Sequence, residues 1–151
     1  MIFVDSGIYI ARHSRRIEEK NKAEEILSRI KANQYGQAVT SIDILDEVIS
    51  KLHKKIKNST HEHKAKVLKL LDEEIEDSAH TELYTLDDRI RNNAKVLLKK
   101  YPGLATLTDF TTALFMKANK IERIASFDSE FDTIFTLQEF KDFSFKERIS
   151  E

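Results

Sequence analysis

The sequence contains no cysteine, no tryptophan, one proline and only three glycines among its 151 residues. The missing cysteine excludes disulfides, thiolate nucleophiles and zinc or iron–sulfur sites with cysteine ligands. So few glycines and prolines disfavour turn-rich sandwiches, barrels and collagen-like chains. No apolar run approaches the roughly 20 residues of a membrane helix. The first residues also lack the basic segment and long apolar stretch of a signal peptide. We therefore expect a soluble, cytoplasmic protein with no membrane partner.

The composition predicts a single globular domain over residues 1–151. Hydrophobic residues make up 40% of the chain and charged residues 34%, which is enough apolar content for a core. The net charge is −1. A near-neutral chain attracts a polyanion only through a local basic patch, so any nucleic-acid partner requires one.

Short apolar segments alternate with longer amphipathic ones along the chain. Residues 2–4, 37–40 and 121–126 have the continuous apolar pattern of buried strands, and a last short strand is expected beyond Thr133. Helical spacing of apolar residues separates these segments. This alternation predicts an α/β fold with a central parallel sheet of four to five short strands, flanked by helices on both faces.

Residues 58–101 carry neither glycine nor proline. Apolar residues recur there at helical spacing, first around Val67 and Leu71 and again from Leu83 to Tyr101. Pro102 and Gly103 then end the pattern. We therefore predict a helical hairpin over residues 61–101.

Acidic residues follow the expected strands and begin the helices after them. Because ligands of open parallel sheets bind beyond the carboxyl ends of the strands, these acids are expected to share one edge of the sheet. Carboxylates held close together repel unless a cation offsets their charge, and Mg²⁺ or Mn²⁺ prefers oxygen ligands. Each acid taken alone equally fits a helix cap or a dipole partner. The acids in these positions are Asp5, Asp43, Asp46, Glu47, Asp109 and Asp128.

Four segments, residues 2–6, 39–47, 107–109 and 124–132, resemble in order and placement the successive motifs of the PIN domain, and most closely those of VapC-type toxin ribonucleases. The resemblance covers roughly residues 1–11, 39–52 and 104–132. It implies a three-layer α/β/α fold and a metal-dependent endoribonuclease using Mg²⁺ or Mn²⁺. The four family acids would correspond to Asp5, Glu47, Asp109 and Asp128, as both catalytic residues and metal ligands.

The resemblance leaves some residue assignments open. Helical periodicity does not distinguish Glu47 from Asp43 one turn earlier; the motif favours Glu47, with Asp43 or Asp46 as alternatives. Asp132 is an alternative to Asp128. By the implied chemistry, Asp5 and Asp109 would be direct metal ligands.

The resemblance also implies partners. They are an RNA substrate, a cognate antitoxin of a type II toxin–antitoxin pair, and a second copy of the chain in a homodimer. Two alternatives are a PIN-like scaffold that binds RNA or protein without catalysis, and a housekeeping nuclease for RNA processing. The best candidates for phosphate contacts are Arg12, Arg15, Arg16 and Lys20, with further basic groups at Lys51, Lys54, Lys55 and Lys57 and at Arg89, Arg91 and Lys95.

Overall fold

The computed structural model describes residues 1–76 and 80–151, and its centre is a five-stranded sheet. All neighbouring strands are parallel, in the order β3-β2-β1-β4-β5. The predicted α/β fold with a parallel sheet is therefore confirmed. The strands are β1 (Ile2–Val4), β2 (Ala38–Ser41), β3 (Thr81–Tyr84), β4 (Arg123–Ala125) and β5 (Glu147–Ile149).

Helices connect the strands and cover the sheet. They are α1 (Ser6–Arg12), α2 (Ile17–Lys31), α3 (Ile42–Ile56), α4 (His61–Leu71), α5 (Asp88–Lys100), α6 (Leu107–Ala118) and α7 (Glu130–Ile134). A π-helical turn, Asp72–Glu76, extends α4, and a 3-10 turn, Gln138–Phe140, follows α7.

The helices pack in two groups. Helix α1 packs on α2 and α3, and α3 on α4, whereas α5 packs on α6, and α6 on α7. The chain crosses the sheet in one direction from β1 to β3 and in the opposite direction from β3 to β5. Because connections between parallel strands are right-handed, the helices before β3 and those after it are expected to cover opposite faces of the sheet. The ring of Phe115 in α6 accordingly contacts Phe3 in β1 and Tyr84 in β3.

The predicted helical hairpin over residues 61–101 is wrong in one respect, because the strand β3 lies between α4 and α5. This strand is at the edge of the sheet, and its side chains are half-buried or exposed, so it lacks the apolar pattern of a buried strand. Its pairing partners are in β2, from Ala38 opposite Thr81 to Ser41 opposite Tyr84. Residues 77–79 of the predicted hairpin lie outside the described residues.

The last segment forms the predicted strand and closes the fold with aromatic residues. The ring of Phe135 stacks on that of Phe145, with centroids 4.1 Å apart, and also contacts Phe131, Phe140 and Phe143. This cluster holds the tail where β5 can pair with β4. The backbone amide of Ser126 then donates to the carbonyl of Ile149, which fixes the residue that follows β4.

Within the part of the chain that the structure describes, no helix combines the length and apolar character needed to cross a bilayer.

The order of the strands reverses at β1, which has β2 on one side and β4 on the other. At such a switch point the connections leave in opposite directions and open a crevice beyond the carboxyl ends of the strands. The backbone amide of Asp5 donates to the carbonyl of Ala125 at 3.0 Å, so the residues that leave β1 and β4 begin side by side.

Candidate active site

Asp5 lies at the centre of this crevice, where it caps α1. Its Oδ1 accepts a hydrogen bond from the backbone amide of Ser6 at 2.8 Å, and its Oδ2 accepts one from the hydroxyl of Ser126 at 2.6 Å. Only 7% of Asp5 is exposed. The side chain is therefore buried and held in one orientation by donors from two separate segments.

Burial raises the pKa of Asp5 to about 6 from an ordinary value of 3.8. The hydrogen bonds from Ser126 and Ser6 favour the charged form and oppose this rise. The nearby carboxylates of Asp109 and Glu47 raise the pKa further. The electrostatics thus connect acids that are far apart in the sequence.

Asp109 belongs to a capping box at the start of α6. The amide and hydroxyl of Thr106 donate to Oδ2 of Asp109 at 2.9 and 2.7 Å, and the amide of Asp109 donates back to the Thr106 hydroxyl oxygen at 3.2 Å. The cap therefore engages one carboxylate oxygen and leaves Oδ1 for another ligand. Burial raises the pKa of Asp109, with added repulsion from Asp128 and Glu47.

Asp128 lies in the loop after β4, and Glu130 is the first residue of α7. The Asp128 amide donates to the Ser126 hydroxyl oxygen at 3.0 Å, and the Glu130 amide donates to Oδ1 of Asp128 at 2.8 Å. One oxygen each from Asp109, Asp128 and Glu130 lies within 4.8 Å of the others. Partial burial and the charges of Asp128 and Asp109 raise the pKa of Glu130.

Two residues at this site, Glu130 and Ser126, were not predicted from the sequence. Glu130 lies within the fourth matched segment, only two residues after Asp128, and that spacing is the signal that could have found it. Ser126 follows a buried strand and had no distinguishing sequence feature. Its hydroxyl donates to Asp5 and accepts from the Asp128 amide, so it connects two of the acids.

Glu47 lies in the second turn of α3, close enough for its charge to raise the pKa values of Asp5 and Asp109. Its own partner is Lys51, one turn later on the same helix. Helix α3 begins where it does because the hydroxyl of Ser41, the last residue of β2, accepts from the Ile44 amide.

The alternative acids have other surroundings. Asp43 pairs with Arg91 of α5 at 2.6 Å, and Asp46 is exposed. Asp132 pairs with Arg148, which donates to its Oδ2 from Nε at 3.0 Å and from Nη2 at 2.8 Å. Asp109 lies in one group with Asp128 and Glu130, and the charges of Asp109 and Glu47 act on Asp5, so these relations link five acids. We call these five acids the carboxylate cluster.

The donor set of the cluster fits a hard divalent cation. Among residues 1–76 and 80–151, no ion pair offsets the charge of Asp5, Asp109, Asp128 or Glu130. Carboxylate oxygens are the ligands that Mg²⁺ and Mn²⁺ prefer, and a cation would relieve the repulsion that raises these pKa values. The cluster can therefore hold such an ion.

Comparisons with known proteins bear on the family and on the fold. A family model described as the PIN domain matches residues 2–134. No curated protein matches the sequence. The crystal structure of Mycobacterium tuberculosis VapC20, described as a sarcin–ricin loop cleaving toxin, superposes with a TM-score of 0.69 at 18% identity over 89% of this chain and 95% of that one. At this identity the likeness shows a shared fold.

Proposed function

The chain belongs to the PIN domain family, and we propose that it is a metal-dependent endoribonuclease that hydrolyses RNA phosphodiester bonds. The observation that carries this proposal is the carboxylate cluster, which draws acids from separate segments. In the described part of the chain, no cationic side chain pairs with four of the five acids. An assembly of this kind costs folding free energy, because burial and mutual repulsion disfavour the charged forms. A bound divalent cation would offset that cost, because its charge stabilises the ionised carboxylates.

We propose that Asp5, Glu47, Asp109 and Asp128 would hold the ion together with Glu130, which has an oxygen within 4.8 Å of one from Asp109 and one from Asp128. Such an ion would lower the pKa of an attacking water and offset the negative charge that develops at phosphorus. Mg²⁺ and Mn²⁺ both fit oxygen-only donors.

The protein's own residues orient the acids. Ser6 and Ser126 hold both oxygens of Asp5, and the Thr106 cap holds one oxygen of Asp109, so both carboxylates are positioned before any ligand arrives. Burial of Asp5 keeps bulk water from competing for it. Since ligands must be deprotonated to bind a cation, the raised pKa of Asp5 predicts that binding weakens as the pH falls through about 6.

The nuclease test compares wild type with Asp5→Asn on a panel of RNAs, with Mg²⁺ or Mn²⁺ and with EDTA. We expect cleavage by the wild type only with metal, and a loss of at least about 100-fold in Asp5→Asn, because a principal ligand is gone. Asp46→Asn, which changes an exposed acid beside the cluster, is the matched control and should cleave normally. If the wild type and both variants bind RNA but none of them cleaves it, the result would instead favour a non-catalytic scaffold.

We further propose that the nuclease is the toxin of a type II toxin–antitoxin pair, acts in the cytoplasm, forms a homodimer and is inhibited by a cognate antitoxin. The likeness in fold to a VapC toxin over most of both chains supports this. Expression in a bacterial host should arrest growth for wild type but not for Asp5→Asn. Normal growth with an active nuclease would favour a housekeeping role in RNA processing.

A further inference from the structure

A second notable surface is a groove of about 900 Å³ between the α1–α2 connection, the end of α3 and the start of α4. We call it the basic groove. Among the described residues, no acidic side chain lines it. Six cationic side chains do: Arg12, Arg15, Arg16, Lys20, Lys55 and Lys66.

Several of these cations lack a neutralising partner. Arg16 pairs with Glu19, and Lys20 approaches Glu24 at 3.9 Å. Arg15, Lys55 and Lys66 make no ion pair with any acid in the described part of the chain. The groove therefore concentrates positive charge on a protein whose net charge is −1, and such concentration attracts a polyanion.

The positive charges of the groove also affect His13, which lies at its side. Burial lowers its pKa, and the charges of Arg12, Lys20, His63 and Lys55 lower it further. Arg12, Lys20 and Lys55, which belong to helices α1, α2 and α3, therefore act together on one point in the groove.

The other lining residues favour a phosphate backbone over a protein helix. The apolar lining residues, Leu52, Ile56 and Val67, are buried, whereas Arg15, Arg16 and the three lysines of the groove are exposed, so a ligand would meet charged groups first. Ser14, Asn58, Ser59 and Thr60 add hydroxyl and amide groups that suit phosphate oxygens.

Two helices connect the basic groove to the carboxylate cluster. Helix α1 begins beside Asp5 and ends at Arg12, and α3 carries Glu47 near its start and Lys55 near its end. At about 1.5 Å per residue, each path is roughly 10–12 Å long. A flexible RNA strand can span that distance, so one molecule can occupy both places.

We propose that the basic groove is a second RNA-contacting site, which binds the phosphate backbone of the substrate away from the bond that is cleaved. The choice of RNA as the ligand rests on the proposed nuclease function. The location and the positive charge of the groove are independent of that function.

The test measures binding of a labelled single-stranded RNA of about 20 nucleotides in EDTA, where no cleavage occurs. The double variant Lys55→Gln/Lys66→Gln removes two unpaired cations from the groove. Its matched control, Lys99→Gln/Lys141→Gln, removes the same charge from exposed lysines elsewhere. Circular dichroism melts check that both fold.

We expect the groove variant to bind RNA about tenfold more weakly, and its salt slope to fall in magnitude by about 1.4, since each lost phosphate contact on a single strand contributes about 0.7. The control should keep the wild-type slope. Equal slopes and affinities in the two variants would overturn the proposal. So would a groove variant that loses binding of poly-glutamate but not of RNA, because the occupant would then be an acidic protein segment. RNA binding through the groove without cleavage in Mg²⁺ or Mn²⁺ would support this site and overturn the nuclease proposal alone.

Discussion

Asp5 is held in one orientation by its hydrogen bonds, but its surroundings destabilise the charged form of its side chain. The Ser126 hydroxyl and the Ser6 amide stabilise its charge, but burial and the neighbouring acids raise its pKa to about 6 despite them. At neutral pH the folded protein must keep this carboxylate charged, and no cationic side chain of residues 1–76 and 80–151 pairs with it. A carboxylate in that situation lowers the stability of the free protein but is suited to binding a cationic ligand.

This conflict predicts that Asp5→Asn stabilises the metal-free protein. The folded pKa lies above the unfolded value of 3.8, so the contribution of Asp5 to the free energy of unfolding falls as the pH rises from about 4 to 6 and stays low above that. The full shift corresponds to a cost of up to about 3 kcal/mol. Urea unfolding in EDTA at pH 8 should show Asp5→Asn more stable by about 1–3 kcal/mol.

At pH 4 the same comparison should show little difference, because wild-type Asp5 is then largely protonated in the folded state. A stability gain that is equal at pH 4 and pH 8 would mean that packing, rather than charge, caused it.

At the scale of elements, residues that begin helices both cap those helices and contribute acids to the carboxylate cluster. Thr106 and Asp109 cap α6 reciprocally, and the same Asp109 faces Asp128 and Glu130 across the crevice. Helix α3 begins directly at the end of β2, which brings its first turns to the carboxyl edge of the sheet. Capping chemistry and ligand chemistry require the same residue types, so the sequence alone did not separate them.

Two acids one turn apart on α3 are predicted to behave differently. Glu47→Gln should reduce cleavage by about 100-fold, because Glu47 is electrostatically coupled to Asp5 and Asp109. Asp43→Asn breaks only the pair with Arg91, so it should leave kcat/KM within about twofold of wild type and cost less than about 1 kcal/mol of stability. Cleavage kinetics and urea unfolding of both variants test this, and the reverse ranking would move the second family acid to Asp43.

At the scale of the whole molecule, the cluster exists because the strand order reverses between β2 and β4. Asp5, Glu47, Asp109 and Asp128 come from four segments spread over more than a hundred residues. Three of them follow the strands β1, β2 and β4, and Asp109 begins α6, which follows α5. Binding of a cation there would therefore stabilise the fold as a whole, and not only a local loop.

Metal binding is accordingly predicted to raise the thermal midpoint. At a concentration about 100 times the dissociation constant, Mg²⁺ or Mn²⁺ should stabilise the wild type by about 2.7 kcal/mol, which corresponds to roughly 5–10 °C for a chain of this size. Asp5→Asn/Asp109→Asn should show no such shift. Scanning calorimetry at constant ionic strength measures this, and an equal shift in both proteins would place the ion elsewhere.

The sequence by itself predicted the α/β class and four of the five strands, because local apolar periodicity reports which side chains are buried. The four acids were predicted through the family resemblance. The periodicity also led to a helical hairpin where the structure has β3, since an edge strand held by pairing to β2 lacks that periodicity. Only the tertiary structure decided that Glu47, rather than Asp43, acts on Asp5, that Glu130 joins the cluster and that Ser126 connects Asp5 to Asp128. These relations depend on distances through space between segments far apart in the chain, and no local pattern encodes such distances.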